Sequence, residues 1–204
     1  SEMCIRDRYK GTANSSKEVE AVFKAANNDE KCVGVITWMH TFSPAKMWIH
    51  GLQQLKKPLL HLHTQFNKEI PWDTMDMDFM NLNQSAHGDR EYGFIVARMG
   101  IPHEVVAGYY KHDDVVAKIR QFASVAKAIS YSKSLKVASF GNNMREVAVT
   151  DGDRVESQIK YGWECNYFAL GDVVDTINAV TEEEIDAKMK AVSYTHLRAH
   201  ETSA

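Results

Sequence analysis

Apolar residues recur along the chain in two alternating periods, one helical and one strand-like. Val19, Val22, Phe23 and Ala26 fall at i, i+3, i+4 and i+7 behind Ser15-x-x-Glu18, the pattern of a capping box. That spacing predicts an amphipathic helix ending near Asn27-Asn28-Asp29. Cys32–Met39 (CVGVITWM) is a continuous apolar, β-branched run, as in a strand buried on both faces. Ser43 offers an N-cap with Pro44 at the first helical position, and Trp48, Leu52 and Leu55 give a second helix its core stripe. Gly51 weakens that helix. Pro58–Leu62 reads as the next buried strand, which completes a βαβ unit with a right-handed crossover. Met75, Met77 and Phe79 alternate as a strand would, yet Phe79, Leu82 and Ala86 fit a helix, and the helix is preferred. Val105–Tyr109 is then a strand. Val115, Val116, Ile119, Phe122, Ala123, Ala126 and Ile129 line one face of a long helix.

After the linker Ser132–Ser134 the pattern restarts. Leu135–Phe140 and Cys165–Leu170 read as strands, and Asp151 can cap a helix with Val155 and Ile159 that stops at Gly162. Val173, Val174 and Ile177 mark another helix, and Thr181-x-x-Glu184 caps a last one. The expected fold class is α/β: a doubly wound, mostly parallel sheet of Rossmann or flavodoxin type that lacks its first strands. The truncated start of a second α/β domain follows it.

The two ends read differently from the body. Ser1–Asp7 is SEMCIRD and Val192–Arg198 is VSYTHLR. Written as TCG GAG ATG TGT ATA AGA GAC, the first peptide has a reverse complement that translates to the second. Inverted copies of one DNA sequence, resembling a translated transposon adapter, explain both. The expected domains are therefore 1–8 non-native adapter, 9–134 a partial N-terminal α/β domain, 135–191 a partial central α/β domain, and 192–204 non-native adapter.

Composition narrows the function classes. Of 204 residues, 44% are hydrophobic and 25% charged, which excludes a disordered or collagenous chain. A net charge of −3 gives no electrostatic footprint for nucleic acid or an anionic membrane, so neither is an expected partner. No apolar run is long enough to span a bilayer. Cys4, Cys32 and Cys165 form no CxxC pair, as expected for reduced thiols in a cytoplasmic protein.

GxGxxG, GxxxxGK[ST], GxSxG and HExxH are all absent from the sequence. Asp73-x-x-Asp76-x-Asp78 lacks the spacing and turn glycine of a calcium loop. His61-x-His63 puts two imidazoles on one strand face, where a metal could use them. With no carboxylate or thiolate at matching spacing, histidines satisfied by hydrogen bonds or lying at the surface are the better reading. Asp151 and Asp153 suit a helix start. Two polar clusters stand out more: His40-Thr41-Phe42-Ser43 after one strand, and His63-Thr64-Gln65-Phe66-Asn67 after the next. Asn81-x-Asn83-Gln84-x-x-His87 is amide-rich. Ligands of open α/β sheets bind at the carboxyl ends of strands. Amides and a neutral imidazole there can pair with hydroxyl groups, and an aromatic face can cover the C–H face of a polyol. A carbohydrate-like ligand is chemically sensible.

WMHTFSPAKMWIHGL (Trp38–Leu52), KPLLHLHTQFN (Lys57–Asn67), PWDTMDMDFMNLNQSAHGDREYGFI (Pro71–Ile95) and FGNNMREVAVTDGD (Phe140–Asp153) closely resemble the bacterial L-arabinose isomerases. The resemblance runs from about Tyr9 to Ala191 and implies a metal-dependent aldose–ketose isomerisation, L-arabinose to L-ribulose. It implies Mn2+ in the parent enzyme, held by two glutamates and two histidines downstream of this segment. No catalytic or metal residue is thus expected here, and the segment alone is expected to be inactive and to bind no Mn2+. Sugar contact does carry over, to Phe42 in HTFSP, Gln84 and His87 in NQSAH, and Met144 in NNMREV. The resemblance places the first three across a subunit interface of a homo-oligomer, a trimer or hexamer. Phe42, Gln84 and His87 should then converge on one rim, with Gly88 ending the turn that carries the last two. Met144 should serve a different pocket. The alternative is a non-catalytic sugar-binding α/β module, or a related isomerase for another sugar such as L-fucose.

Overall fold

The computed structural model describes residues 13–200 apart from 40, 42, 142 and 151, and the side chains of 150 and 193–200 are also outside the description. The expected adapter residues 1–8 fall outside it too. The chain divides after Tyr131 into two compact units.

In the first unit, helix α1 spans Ser16–Asn28, with the Ser15 hydroxyl accepting from the Glu18 amide at 3.3 Å. The Glu18 carboxylate reaches one residue further back than a capping box requires, to the Asn14 amide. Strand β1 (Val35–Trp38) is followed by a 3-10 turn, Ala45–Trp48, and helix α2 (Ile49–Gln54). Strand β2 is Leu59–His63, α3 is Met77–Leu82, α4 is Ser85–Arg98, β3 is His103–Ala107 and α5 is Asp113–Ser132. The three strands are parallel in the order β1-β2-β3, with Val35 beside Leu59 and Leu59 beside His103.

Central β2 is covered on both faces, which explains its unbroken apolar pattern. Leu59 joins Val19, Phe23, Leu52, Tyr92 and Val96 from α1, α2 and α4 in one core. Leu60 and Leu62 point the other way, to Val106 and to Val115, with Ile119 and Phe122 of α5 packed alongside. Side chains alternate across a strand, so one five-residue element feeds two cores.

Expectations shift at Ser43, Gly88 and Ser132. Ser43 does not cap a helix, because its hydroxyl accepts from the Trp48 indole instead and Pro44 takes the cap position. The helix preferred over a strand at Met75–Phe79 does form: the Asp76 carboxylate accepts from the Phe79 amide at 2.8 Å and starts α3. Gly88 ends no turn but lies inside α4. Ser132, taken for linker, is the last residue of α5.

The second unit holds β4 (Lys136–Phe140), α6 (Arg154–Tyr161), β5 (Glu164–Phe168), α7 (Leu170–Ala179) and α8 (Glu182–His200). β4 and β5 pair in parallel, Val137 beside Cys165. Asp153 caps α6, accepting from the Glu156 amide at 2.8 Å, whereas Asp151 lies outside the described residues. Gly162 ends α6 in the left-handed region at φ 76°. None of the described side chains of this unit is fully buried.

Candidate functional site

The carboxyl ends of β1 and β2 are tied together, because the Trp38 indole donates to the Thr64 carbonyl at 2.9 Å. The loop after β1 then meets α3 once and the start of α4 twice. Thr41 donates through its hydroxyl to the Asn81 carbonyl. Gly88 faces the Ser43 backbone so closely that a Cβ there would lie 2.8 Å from the carbonyl oxygen. The Ala45 amide points at the Glu91 carboxylate, 3.3 Å away. Asn83 joins the loop after β2, accepting from the Asn67 amide at 2.8 Å and donating to the Phe79 carbonyl at 2.9 Å.

Three segments therefore gather at one sheet edge: 41–45, 64–67 and 81–91. Phe42 and His40 lie outside the described residues. Gln84 occupies the cap position of α4 but makes no side-chain capping bond, which leaves its amide for other partners. His87 is exposed on the first turn and lines an open hollow of about 400 Å3 with Arg90, Glu91 and Phe94. Met144 belongs to the second unit and is 69% exposed.

Beneath this edge lies a buried polar chain that pattern reading missed. His61 Nε2 is 2.6 Å from Asp89 Oδ1, and His63 Nε2 is 3.2 Å from Oδ2. On the other side of His61, Nδ1 lies 3.0 Å from the Thr37 hydroxyl, itself 3.1 Å from the Tyr92 phenol. The Tyr92 ring stacks on His61 at 4.3 Å. Burial pushes the Tyr92 phenol well above its ordinary value, more than the Thr37 hydrogen bond lowers it. Its signal in sequence was the α4 stripe Ser85, Gly88, Asp89, Tyr92, Val96: helical spacing with a carboxylate at an inward position.

The two imidazoles share a strand face, as their spacing requires, and both turn toward Asp89. Among the described residues, no three of His, Cys, Asp and Glu are grouped so as to hold one metal ion. The described residues do not fit a metal centre. Among the described residues, no helix is long and apolar enough to cross a membrane.

A family model of the L-arabinose isomerase N-terminal domain matches residues 1–134, and one of its central domain matches 136–203. The chain belongs to the L-arabinose isomerase family. It is 63% identical over 179 residues to an L-arabinose isomerase of Bacteroides thetaiotaomicron, covering 88% of this chain and 35% of that protein. An L-arabinose isomerase of Clostridium beijerinckii is 58% identical over 185 residues, 91% of this chain and 38% of its own. "L-arabinose isomerase 1" of Bacillus licheniformis is 59% identical over 177 residues, 87% and 36% respectively. The chain thus spans just over a third of the length of these L-arabinose isomerases.

Proposed function

We propose that this chain supplies sugar-contacting residues to a metal-dependent isomerase that converts L-arabinose to L-ribulose. Identity of 58–63% to proteins named L-arabinose isomerase carries the reading. Those names do not favour a non-catalytic sugar-binding module or an isomerase for L-fucose. The meeting of 41–45 with 81–91 supports Phe42, Gln84 and His87 as one contact surface. Gln84 can donate to one sugar hydroxyl and accept from another, and His87 can do either through its two ring nitrogens. Phe42 would cover a C–H face, and Met144 would offer an adaptable apolar contact from the central domain.

Manganese, a homo-oligomer of three or six subunits and a cytoplasmic setting belong to this same reading. The parallel sheet with helices against both faces of β2 supports a doubly wound, Rossmann-like N-terminal domain. Grafting residues 13–191 in place of the aligned segment of the Clostridium beijerinckii relative tests the function. The chimera should form L-ribulose, and Gln84→Ala or His87→Ala should lower kcat/KM by at least tenfold. An active chimera indifferent to both substitutions would remove the site assignment.

A further inference from the structure

The start of α4 presents opposite chemistry on its two sides. His87 faces outward, while Asp89, two residues on, is 4% exposed and lies in the inward stripe with Tyr92. A carboxylate in that position is costly to bury unless it is paired. Its partners are His61 and His63, both from the carboxyl half of β2. Oδ1 accepts from Nε2–H of His61, so the pairing keeps a proton on Nε2, while Nδ1 lies 3.0 Å from the Thr37 hydroxyl, whose one proton can serve Nδ1 or the Tyr92 phenol but not both. Oδ2 has no aligned hydrogen bond, only the His63 contact at 3.2 Å. Gly88 against Ser43 and Glu91 near the Ala45 amide hold the same turn from the loop side.

We propose that Asp89 is a positioning residue. Through His61 and His63 it fixes the first turn of α4, and with it Gln84 and His87, over the carboxyl end of β2. An apolar residue at 89 would pack the stripe but leave the turn free to slide along the strand, since apolar contact is non-directional. A hydrogen-bonded carboxylate specifies one register. Its bearing on substrate rests on the reading of Gln84 and His87 as sugar contacts.

Two measurements on the 204-residue chain test this. Histidine 15N spectra should show His61 as a single Nε2–H tautomer. In Asp89→Asn, whose amide can still accept but carries no charge, His63 should change its tautomer balance. The amides of residues 89–92, which donate into the first turn, should then exchange with solvent at least tenfold faster. Amides of residues 20–24 in α1 should not change. If Asp89→Asn fails to fold, His63→Ala decides, with exchange at 89–92 at least threefold faster. A tautomerically averaged His61, or unchanged exchange at 89–92 in a folded variant, overturns the proposal. The chimera separates the two readings: full activity in its Gln84→Ala and His87→Ala variants would count against sugar contact, while tautomer and exchange in the chain still judge the role of Asp89.

Discussion

Gly88 and Ser43 touch backbone to backbone. A Cβ on Gly88 would lie 2.8 Å from the Ser43 carbonyl oxygen, 3.1 Å from its nitrogen and 3.0 Å from the Met39 sulfur. Neither backbone atom can swing aside. Alanine gains about 1 kcal/mol of helix propensity over glycine, but overpacking costs about 1–3 kcal/mol. Gly88→Ala should therefore lower stability by up to about 2 kcal/mol in urea denaturation. Gly93, in the same helix, has nothing within 4 Å of such a Cβ. Gly93→Ala should raise stability by about 0.5–1 kcal/mol. Equal effects at the two sites would mean that the loop does not press on α4.

Tyr92 makes stability sensitive to alkali. Its phenol is raised above its ordinary value of 10.0 by burial, so the folded chain keeps the proton that the unfolded chain releases. The contribution is complete below pH 10 and is lost as pH rises beyond it, by up to about 1.4 kcal/mol per pH unit. Tyr92→Phe should flatten that slope and cost about 1 kcal/mol at neutral pH through the Thr37 hydrogen bond. Parallel stability curves for the two proteins between pH 9 and 11 would contradict it.

The strands were legible because apolar, β-branched runs have few other homes, and the ends of each lie within three residues of their expected places. Asp89 was legible only as a carboxylate in the inward stripe of α4. Its significance comes from His61 and His63, 28 and 26 residues earlier, and local spacing carries no such pairing. Ser43 shows the converse failure. Ser-Pro is a strong helix-start signal, but the Trp48 indole claims the hydroxyl, so a tertiary hydrogen bond overrides the local rule. Segments 41–45, 64–67 and 81–91 stand out as motif blocks, while the contacts that gather them are carried in part by backbone atoms, Thr41 and Gly88.

Asp153 shows how little separates two readings of one motif. Asp151 and Asp153 flank Gly152, and either could start a helix, but Asp153 is the residue that accepts from the Glu156 amide. Removing a side-chain cap costs about 0.5–2 kcal/mol. Asp153→Ala should lower the stability of the second unit by about 1 kcal/mol, whereas Asp153→Asn and Asp153→Ser should lose much less. Thermal melts followed by the fluorescence of Trp163 would show the ranking, and an unaffected alanine variant would remove the cap.

By helix propensity alone Gly51 weakens α2, and the structure gives it the opposite role. A Cβ at Gly51 would meet Phe23 Cδ2 at 2.3 Å, Cε2 at 2.9 Å and Val19 Cγ1 at 3.0 Å, so the glycine lets α2 lie directly on α1. Phe23 is 1% exposed and meets Trp48 edge-on at 6.2 Å, and Trp48 meets Tyr92 in the same way at 5.4 Å. The ring has no free space to retreat into without disturbing the stack that reaches Tyr92. Gly51→Ala would gain about 1 kcal/mol of propensity and lose more than that to overpacking, for a net loss of about 2 kcal/mol. Phe23→Leu shortens the ring and should relieve part of that clash at its own cost of about 1–1.5 kcal/mol. The double variant should then be more stable than the sum of the two losses by at least about 1 kcal/mol, within the range measured for residues in contact. Strict additivity in the cycle would show that Phe23 does not set the requirement for glycine at 51.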